Sequence, residues 1–237
     1  MIWIMTVTPA FAEKPRLRVG LEPFPPLITE AKGGYSIDWL RAMAREAGMT
    51  LDIRIMPYSR AKLALKSGRV DLMGHTPYGF ETGQFYDFAV ELEHRVPTKM
   101  DAFSLSPDKI TSAALHRQVI ATPFGNADFI AELTGVPRDQ FVEGTLERTV
   151  RMMRLKHVDT VIFERASVVS HLPKSNRDRI YYRLVQAIDA GFAVRKDRPE
   201  LLKRLNEAGR KVDARAIYAP YMRILDWPDA GRVPAPD

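Results

Sequence analysis

Short apolar runs alternate with amphipathic stretches in the first third of the chain. Leu17–Leu21 has the length of a strand, and Leu51, Ile53 and Ile55 alternate with polar residues as in a half-buried strand. Val70–Gly74 is the next apolar run. The intervals between these runs carry apolar residues at helical spacing. This β-α-β-α-β order predicts a parallel sheet with right-handed crossovers.

Residues that begin and end helices lie between these predicted strands. Ser36 is predicted to cap a helix that ends at Gly48, and Ser59 to cap a second helix that runs through Lys66. Gly68 is predicted to end the second helix in the left-handed conformation.

A second series of the same kind occupies the middle of the chain. Strands are predicted at Val119–Thr122 and Val158–Phe163, and helices at Asp128–Leu133 and Thr145–Leu155. The segments SGRVDLMGHT and LKHVDTVIFE share a helix end, a Val-Asp pair, an apolar strand and a polar exit. Two lobes with one topology would produce this similarity, and chance similarity between two α/β units is the alternative.

Near the C-terminus, a short predicted strand at Gly191–Val194 precedes two amphipathic helices. Pro199 takes the first position of one helix, and Ala214–Leu225 forms the other. The chain from Trp227 onwards contains three prolines and few apolar residues, so we expect an irregular or frayed tail.

Composition and charge are those of a globular protein. The 237 residues are 46% hydrophobic and 27% charged, and no apolar run reaches the roughly 20 residues that a membrane helix needs. The net charge is +6, but basic and acidic residues are interleaved, which favours solvated helix faces over a nucleic-acid surface. The chain has no cysteine, which excludes disulfides, thiolate metal sites and a lipid-anchored cysteine.

Residues 1–12, MIWIMTVTPAFA, have the apolar stretch and the Ala-Phe-Ala ending of a secretory signal peptide. A basic start is missing, so we interpret the segment as a signal peptide remnant whose true start codon lies upstream. A disordered or strand-forming apolar N-terminus is the alternative. A signal peptide without a cysteine favours a free periplasmic protein.

A polar, glycine-rich segment follows the third predicted strand. Gly74, His75 and Thr76 are expected to expose small and polar groups where this strand ends. Ligands of open α/β sheets bind outside the carboxyl ends of the strands, so the segment predicts a site for a small solute. The five histidines are scattered without metal-ligand spacing, and no metal site is predicted.

Several segments occur in a fixed order between Leu17 and Leu225: LRVGLEPFPPLI, GGYSIDWLRAMAREAGM, SGRVDLMG followed by Asp87-Phe88, HVDTVIFE, GFAVRKDRPELLKRLNEAGRKV and IYAPYMRIL. Together they resemble the bacterial extracellular solute-binding proteins of family 3, the polar-amino-acid-type periplasmic binding proteins. The resemblance implies a two-lobed α/β fold of the type II periplasmic class, each lobe a mostly parallel sheet flanked by helices. Lobe 1 would hold residues 13–96 plus 191–237 and lobe 2 residues 97–190, joined by two hinge strands.

The resemblance also implies solute contacts in lobe 1. Phe24 and Tyr58 match aromatic residues that cover the ligand, and packing within lobe 1 is the alternative for both. Gly74, His75 and Thr76 match the segment that binds the ammonium or polar end of the solute. A histidine departs from the small or apolar residue usual at position 75, and a hydrogen-bonded structural histidine is the alternative.

In lobe 2, Gly125, Asn126 and Ala127 match a loop whose backbone N–H groups bind an anionic ligand end at a helix N-terminus. Glu164 matches the position of an aspartate that receives the ammonium of the ligand. Neutralisation of Glu164 by the adjacent Arg165 is the alternative.

The arginine that binds the α-carboxylate in amino-acid-binding members is missing here. Its position, shortly before Asp87-Phe88, is Thr82, and the segment PYGFETGQFYDFA contains no basic residue. Arg60, at the start of the second predicted helix, is a candidate substitute, with a solvated surface arginine as the alternative.

These features predict a periplasmic solute-binding protein without enzymatic activity. We expect it to capture a small polar solute, an amino acid or a related compound, by hinge closure for an ABC importer. No cofactor and no nucleic-acid partner are predicted, the membrane is contacted only through a permease complex, and the protein is expected to be a monomer. The alternatives are a cyclohexadienyl-dehydratase-like enzyme with Glu164 or His75 as general acid, and an accessory or sensor protein with a degenerate pocket.

Overall fold

The computed structural model describes residues 14–235, apart from the side chain of Asn176. The predicted signal peptide remnant, residues 1–12, lies outside this range. The strands of the described part are β1 Arg16–Leu21, β2 Thr50–Ile55, β3 Leu72–Pro77, β4 Ala89–Ser104, β5 Ile120–Pro123, β6 Phe141–Gly144, β7 Thr160–Glu164, β8 Tyr181–Arg195 and β9 Ala230–Arg232. The α-helices are α1 Tyr35–Glu46, α2 Tyr58–Lys66, α3 Gly83–Phe88, α4 Ser112–Leu115, α5 Ala127–Thr134, α6 Leu146–Arg154, α7 Arg165–Ser170, α8 Pro199–Gly209 and α9 Ala214–Leu225.

The strands form one sheet in the order β2-β1-β3-β8-β4-β7-β5-β6, with β9 beside β8. Strands β2, β1 and β3 are parallel, as predicted from the β-α-β-α-β pattern. Strands β5, β6 and β7 form a second parallel group. We call β1–β3 with α1 and α2 the first half, and β5–β7 with α5, α6 and α7 the second half.

Two long antiparallel strands connect the halves. β4 has 16 residues and β8 has 15, and they pair with each other from Ala89–Arg195 to Ser104–Tyr181. Their register shifts twice, between Glu91 and Arg95 and between Met100 and Asp101 on β4. The predicted lobe boundaries fall within these two strands, and the division into lobes stays a prediction.

The long strands were largely missed by the sequence patterns. Only Gly191–Val194 of β8 was predicted, and no strand was assigned to the range of β4. The reason is that the first part of β8 mixes buried, half-buried and exposed positions without a regular alternation and contains no long apolar run. Pairing on both edges, with β3 or β9 on one side and β4 on the other, stabilises such a strand without a strong local signal.

Helix starts differ from the predictions in the first half. Gly34, not Ser36, precedes the first turn of α1, and Pro57, not Ser59, precedes that of α2. A β-carbon on Gly34, which has a φ of 111°, would lie 2.4 Å from the carbonyl oxygen of Pro26, so only glycine fits there. The predicted left-handed end at Gly68 is confirmed, with a φ of 70°.

The third strand extends further than predicted. β3 continues through Pro77, so Gly74, His75 and Thr76 lie buried inside a strand rather than exposed at its exit. Thr76 pairs with Gly191 of β8, and this cross-strand pairing keeps the polar segment extended. The predicted exposure of these three residues is therefore wrong.

The described part of the tail is also more regular than predicted. β9 pairs with the start of β8, and the N–H of Val233 donates to the carbonyl of Ile180 at 2.8 Å. The prolines at 228 and 234 flank β9 rather than interrupt it. Within residues 14–235, no helix is long and apolar enough to cross a membrane.

Candidate solute-binding cleft

A narrow cleft lies between the two halves, against β4 and β8. Its volume is about 30 Å³, far below the range of about 300–1,000 Å³ that small-molecule sites occupy. Side chains from both halves therefore fill most of the cleft. The residues that line it are Glu22, Phe24, Tyr58, His75, Thr76 and Pro77 from the first half, Asn126, Phe129 and Phe163 from the second, and Thr98, Met100, Ile188, Asp189 and Ala190 from β4 and β8.

Aromatic rings meet across this cleft. The ring of Phe24 packs edge-on against Phe163 of β7 with centroids 5.2 Å apart, and edge-on against His75 at 5.1 Å. Phe24 is buried at the predicted place. Phe163 was not predicted as a site residue, because it reaches the cleft from the distant strand β7.

A hydrogen bond also links the halves. The Asn126 side-chain amide donates from Nδ2 to Oε2 of Glu22 at 3.3 Å. Burial raises the pKa of Glu22 to about 8, and the bond from Asn126 opposes this shift only partly. Glu22 is therefore largely uncharged at neutral pH. It was not predicted, although it is the first residue after β1, at the carboxyl end of a parallel strand where ligands bind.

His75 both lines the cleft and makes a structural hydrogen bond, which are the two interpretations that the sequence left open. Its ring lines the cleft, while Nε2 shares a hydrogen bond of 2.9 Å with the hydroxyl of Ser36 in α1. Tyr218 of α9 donates to the same hydroxyl at 3.1 Å. Burial lowers the pKa of His75 to about 3, with a smaller contribution from His94, so the ring is neutral. Its Nδ1 is buried without a hydrogen-bond partner in the described part of the chain.

The hydroxyl groups of Tyr58 and Thr76 are hydrogen-bonded to carboxylates of the chain itself. Tyr58 lines the cleft, but its hydroxyl donates to the carboxylate of Glu81. Burial raises the pKa of this tyrosine well above its usual range. Thr76 donates from Oγ1 to Oε1 of Glu91 at 2.6 Å. Glu91 also accepts the N–H of Gly79 at 3.0 Å, which holds the loop after β3.

Two other predicted residues of the first half do not line the cleft. Arg60 is exposed on α2, as in the surface alternative. Gly74 is buried under Phe192, and a β-carbon there would lie 2.4 Å from that ring. Packing, rather than close approach of a solute, explains the glycine at position 74.

The backbone N–H groups at the start of α5 are occupied by a carboxylate of the chain itself. Glu143 of β6 accepts the N–H of Gly125 at 2.6 Å and that of Ala127 at 3.4 Å on the same oxygen. Its other oxygen binds Arg138 at 2.8 Å. Only Asn126 of the three predicted residues lines the cleft.

Glu164 caps a helix instead of lining the cleft. Its carboxylate accepts the N–H groups of Ala166 and Ser167 at 3.0 and 2.7 Å, and the hydroxyl of Tyr221 at 3.2 Å. Burial raises its pKa to about 7, against the effect of these bonds. Arg165 does not neutralise it, because its guanidinium forms a buried, two-bond pair with Asp101 at 2.6 and 3.2 Å.

The family model of the bacterial extracellular solute-binding proteins, family 3, matches residues 17–222. The chain belongs to this family. No match is found among curated protein sequences.

Solved structures confirm the periplasmic-binding-protein-like type II fold of this family 3 protein. A histidine kinase sensor domain with similarity to periplasmic binding proteins has a TM-score of 0.74 and 21% identity, over 89% of this chain and 97% of that one. A mutant of ArgBP from T. maritima has a TM-score of 0.72 and 16% identity, over 88% and 95%. The GluR0 ligand-binding core in complex with L-glutamate has a TM-score of 0.72 and 18% identity, over 91% and 100%.

Within the described part of the family 3 protein, no lysine or arginine lines the cleft. Its titratable lining residues are Glu22, Tyr58, His75 and Asp189. Thr82, which stands at the position of the carboxylate-binding arginine, is exposed before the first turn of α3. Lys62 on α2 has its ammonium 3.6 Å from the carboxylate of Glu81. Across residues 14–235, no group of three or more His, Asp or Glu residues is arranged to hold a metal ion.

Proposed function

We propose that this family 3 protein is a periplasmic solute-binding protein that captures a small polar solute between its halves. One observation carries the proposal: residues of both halves line a single cleft and meet in the hydrogen bond from Asn126 to Glu22. A solute that contacts both halves stabilises the closed arrangement by its differential affinity. The register shifts in β4 and β8 are the proposed positions of bending, because pairing is interrupted there.

The charged groups around the cleft support a solute that binds without an ion pair to an α-carboxylate. Thr82 carries no positive charge, and Glu143 already accepts hydrogen bonds from the backbone N–H groups at the start of α5. A free amino acid carboxylate would have to displace Glu143, which Arg138 also holds. A neutral solute or an amine avoids this cost.

The buried acids support binding rather than catalysis. Glu164 is engaged by two backbone N–H groups and a tyrosine hydroxyl, and Nε2 of His75 is bound to Ser36. Neither residue is placed as a free general acid for a dehydratase reaction. Delivery of the solute to an ABC permease complex by a monomeric protein is the partner arrangement that we propose.

A second candidate is a sensor or accessory protein whose cleft is closed by its own side chains. The small cavity and the contact between Phe24 and Phe163 favour it. A sensor domain also occurs among the similar structures.

Native mass spectrometry of the protein purified from the periplasm tests both candidates. A bound small molecule, whose affinity falls in Asn126→Ala and is unchanged in the control Asn206→Ala on α8, is expected for solute capture. The control removes an amide that binds the N–H of Glu93 outside the cleft. A protein partner without any small molecule would instead support the sensor or accessory role.

A further inference from the structure

A second and much larger cavity adjoins the cleft. Its volume is about 480 Å³, within the range of about 300–1,000 Å³ that small-molecule sites occupy. Glu22 lines both cavities, so its side chain stands between the larger cavity and the narrow cleft. The larger cavity, which we call the outer cavity, has the volume of a small-molecule site, whereas the cleft is much smaller.

The outer cavity is bounded by both halves and its walls are mainly apolar. Pro25 and Met56 belong to the first half, and Phe124 and Leu146 to the second. Phe124 is 43% exposed although it is a large apolar side chain. An apolar body bound here would cover this ring and would contact both halves, as solute capture requires.

The titratable side chains that line the outer cavity are three carboxyl groups and one histidine. Glu22, Glu30 and Glu147 line it, and within the described part of the chain no lysine or arginine does. His171 also lines it, and its Nδ1 is hydrogen-bonded to the hydroxyl of Ser170 and the carbonyl of Ser167. The walls therefore favour a cation and disfavour a carboxylate.

Glu22 is the group in this cavity that is prepared to bind a ligand. It is only 4% exposed. Asn126 binds its Oε2, and no residue in the described part of the chain is hydrogen-bonded to Oε1. Oε1 is not among the buried side-chain atoms that lack a partner, so it is accessible for a ligand. An ammonium group would bind it with a charge-assisted hydrogen bond.

We propose that the outer cavity is the solute site and that it takes a small organic cation, a primary amine with an apolar body whose ammonium group binds Glu22. This rests on the proposed function, since it places the captured solute between the same two halves. Phe124 and Leu146 contact the apolar body, and Glu30 and Glu147 attract the cation at the rim.

Proton release provides a readout that a merely apolar site would lack. Burial raises the pKa of Glu22 to about 8, while nearby Lys62 and Glu81 act on it in opposite directions. At neutral pH the carboxyl is mostly protonated, so binding of an alkylammonium ion forms the ion pair and releases the carboxyl proton to the buffer. Affinity for the amine should therefore rise between about pH 6 and pH 8.

Calorimetry with matched probes tests the proposal. The probes are hexylamine, 2-phenylethylamine and tryptamine, each compared with the carboxylate of closely similar size: heptanoate, 3-phenylpropionate and indole-3-propionate. We expect at least one amine to bind and to release a proton, and its carboxylate to bind at least tenfold more weakly. Glu22→Gln should weaken the amine about tenfold and abolish proton release, whereas Glu22→Asp should keep the preference for the amine.

A pair of phenylalanine variants locates the site. Phe124→Ala should weaken the amine about fivefold or more, because it removes part of the wall. Phe80→Ala is the matched control, since Phe80 is 49% exposed and does not line the outer cavity. Thermal unfolding of each variant checks that it is folded.

Each contrary result has a distinct meaning. If a different solute binds and responds to Phe129→Ala in the narrow cleft but not to Phe124→Ala, the outer-cavity proposal is overturned and solute capture stands. Equal binding of amine and carboxylate overturns the proposed charge class, as does failure of all three amines to bind. If no solute from a broad metabolite panel binds either, the proposed function fails as well.

Discussion

Asn126 and Glu22 join the two halves of the molecule by a hydrogen bond of 3.3 Å between an amide and a buried carboxyl group. Asn126 directly precedes α5, and Glu22 directly follows β1. The bond therefore connects the start of a helix with the end of a strand, 104 residues apart in the chain. Glu22 also lines both the cleft and the outer cavity. In the proposed function its protonation state would affect both closure and solute binding.

Stability should depend on pH through Glu22. Burial raises its pKa from 4.5 to about 8, so its stabilising effect is fully present below pH 4.5 and is lost as the pH rises through 8. The shift corresponds to a few kcal/mol, at about 1.4 kcal/mol per pKa unit. Glu22→Gln should therefore raise the free energy of unfolding relative to wild type at about pH 9 more than at about pH 4, as measured by urea titration.

Glu30→Gln is the control for this effect, because Glu30 is exposed near the same loop. Its effect on the free energy of unfolding should be small at both pH values. A Glu22→Gln effect of the same size at both pH values would contradict the assignment of a buried, protonated carboxyl group.

His75 should act in the opposite direction. Its pKa is lowered from 6.5 to about 3, so the stabilising contribution of the neutral ring is present above pH 6.5 and is lost as the pH falls towards 3. Above pH 4.5, Glu22 changes the free energy of unfolding in the opposite direction. A variant of His75 is therefore needed to separate the effects of the two residues. The difference in the free energy of unfolding between wild type and His75→Gln should shrink or change sign from about pH 7 to about pH 4, by roughly 2 kcal/mol or more.

His157→Gln supplies the comparison for this measurement, since His157 is exposed. Its difference from wild type should stay nearly constant over the same range. If the His75→Gln difference were equally flat, the buried histidine would have to be accommodated in its charged form.

Local sequence patterns correctly predicted the positions of several helices. The helix predicted at Thr145–Leu155 is α6, Pro199 begins α8, and α9 has the predicted bounds Ala214–Leu225. Strand β4 was not predicted, because its stability comes from pairing with β7 and β8 and not from an apolar run of its own.

The site was predicted less completely than the fold. Resemblance placed Phe24, His75 and Asn126 at the cleft. It also assigned Glu164 to the solute, whereas the structure uses this residue as a helix cap. A carboxylate directly before a helix is a recognisable capping signal, and it competes with the binding interpretation. Glu22 needed the tertiary structure, because its partner lies far away in the chain.

The buried ion pair of Arg165 and Asp101 supplies a third prediction. Both side chains are fully buried, and Arg165 also donates to the carbonyl of Trp227 at 3.0 Å. Arg165→Met leaves the Asp101 carboxylate buried without its partner and should lower the free energy of unfolding by about 3–5 kcal/mol. The double variant Arg165→Met with Asp101→Leu should recover much of this loss in urea titration.

Arg138→Met is a suitable comparison, because its pairs with Asp128 and Glu143 lie at the surface. Its cost should be about 1 kcal/mol or less. A double variant no more stable than Arg165→Met would show that the cost lies elsewhere, for example in the bond to Trp227.

A glycine lies at the contact between the two halves. Gly125 of the second half has a φ of 87°, and a β-carbon there would lie 2.7 Å from the backbone nitrogen of Ser59 in the first half. Gly135, at the end of α5, has a similar φ of 70°, but an added carbon there would lie 3.7 Å from Cε1 of His116, an ordinary van der Waals contact. Gly125→Ala therefore combines backbone strain with a clash between the halves, whereas Gly135→Ala introduces the strain alone.

Both variants should lose about 1 kcal/mol of unfolding free energy from the left-handed backbone. Only Gly125→Ala should also increase the radius of gyration in small-angle X-ray scattering and weaken solute binding, because the clash with Ser59 separates the halves. Equal scattering profiles for the two variants would mean that the contact of Gly125 with Ser59 does not control closure. In that event the bond between Asn126 and Glu22 would be the contact to vary next, by the same pair of measurements.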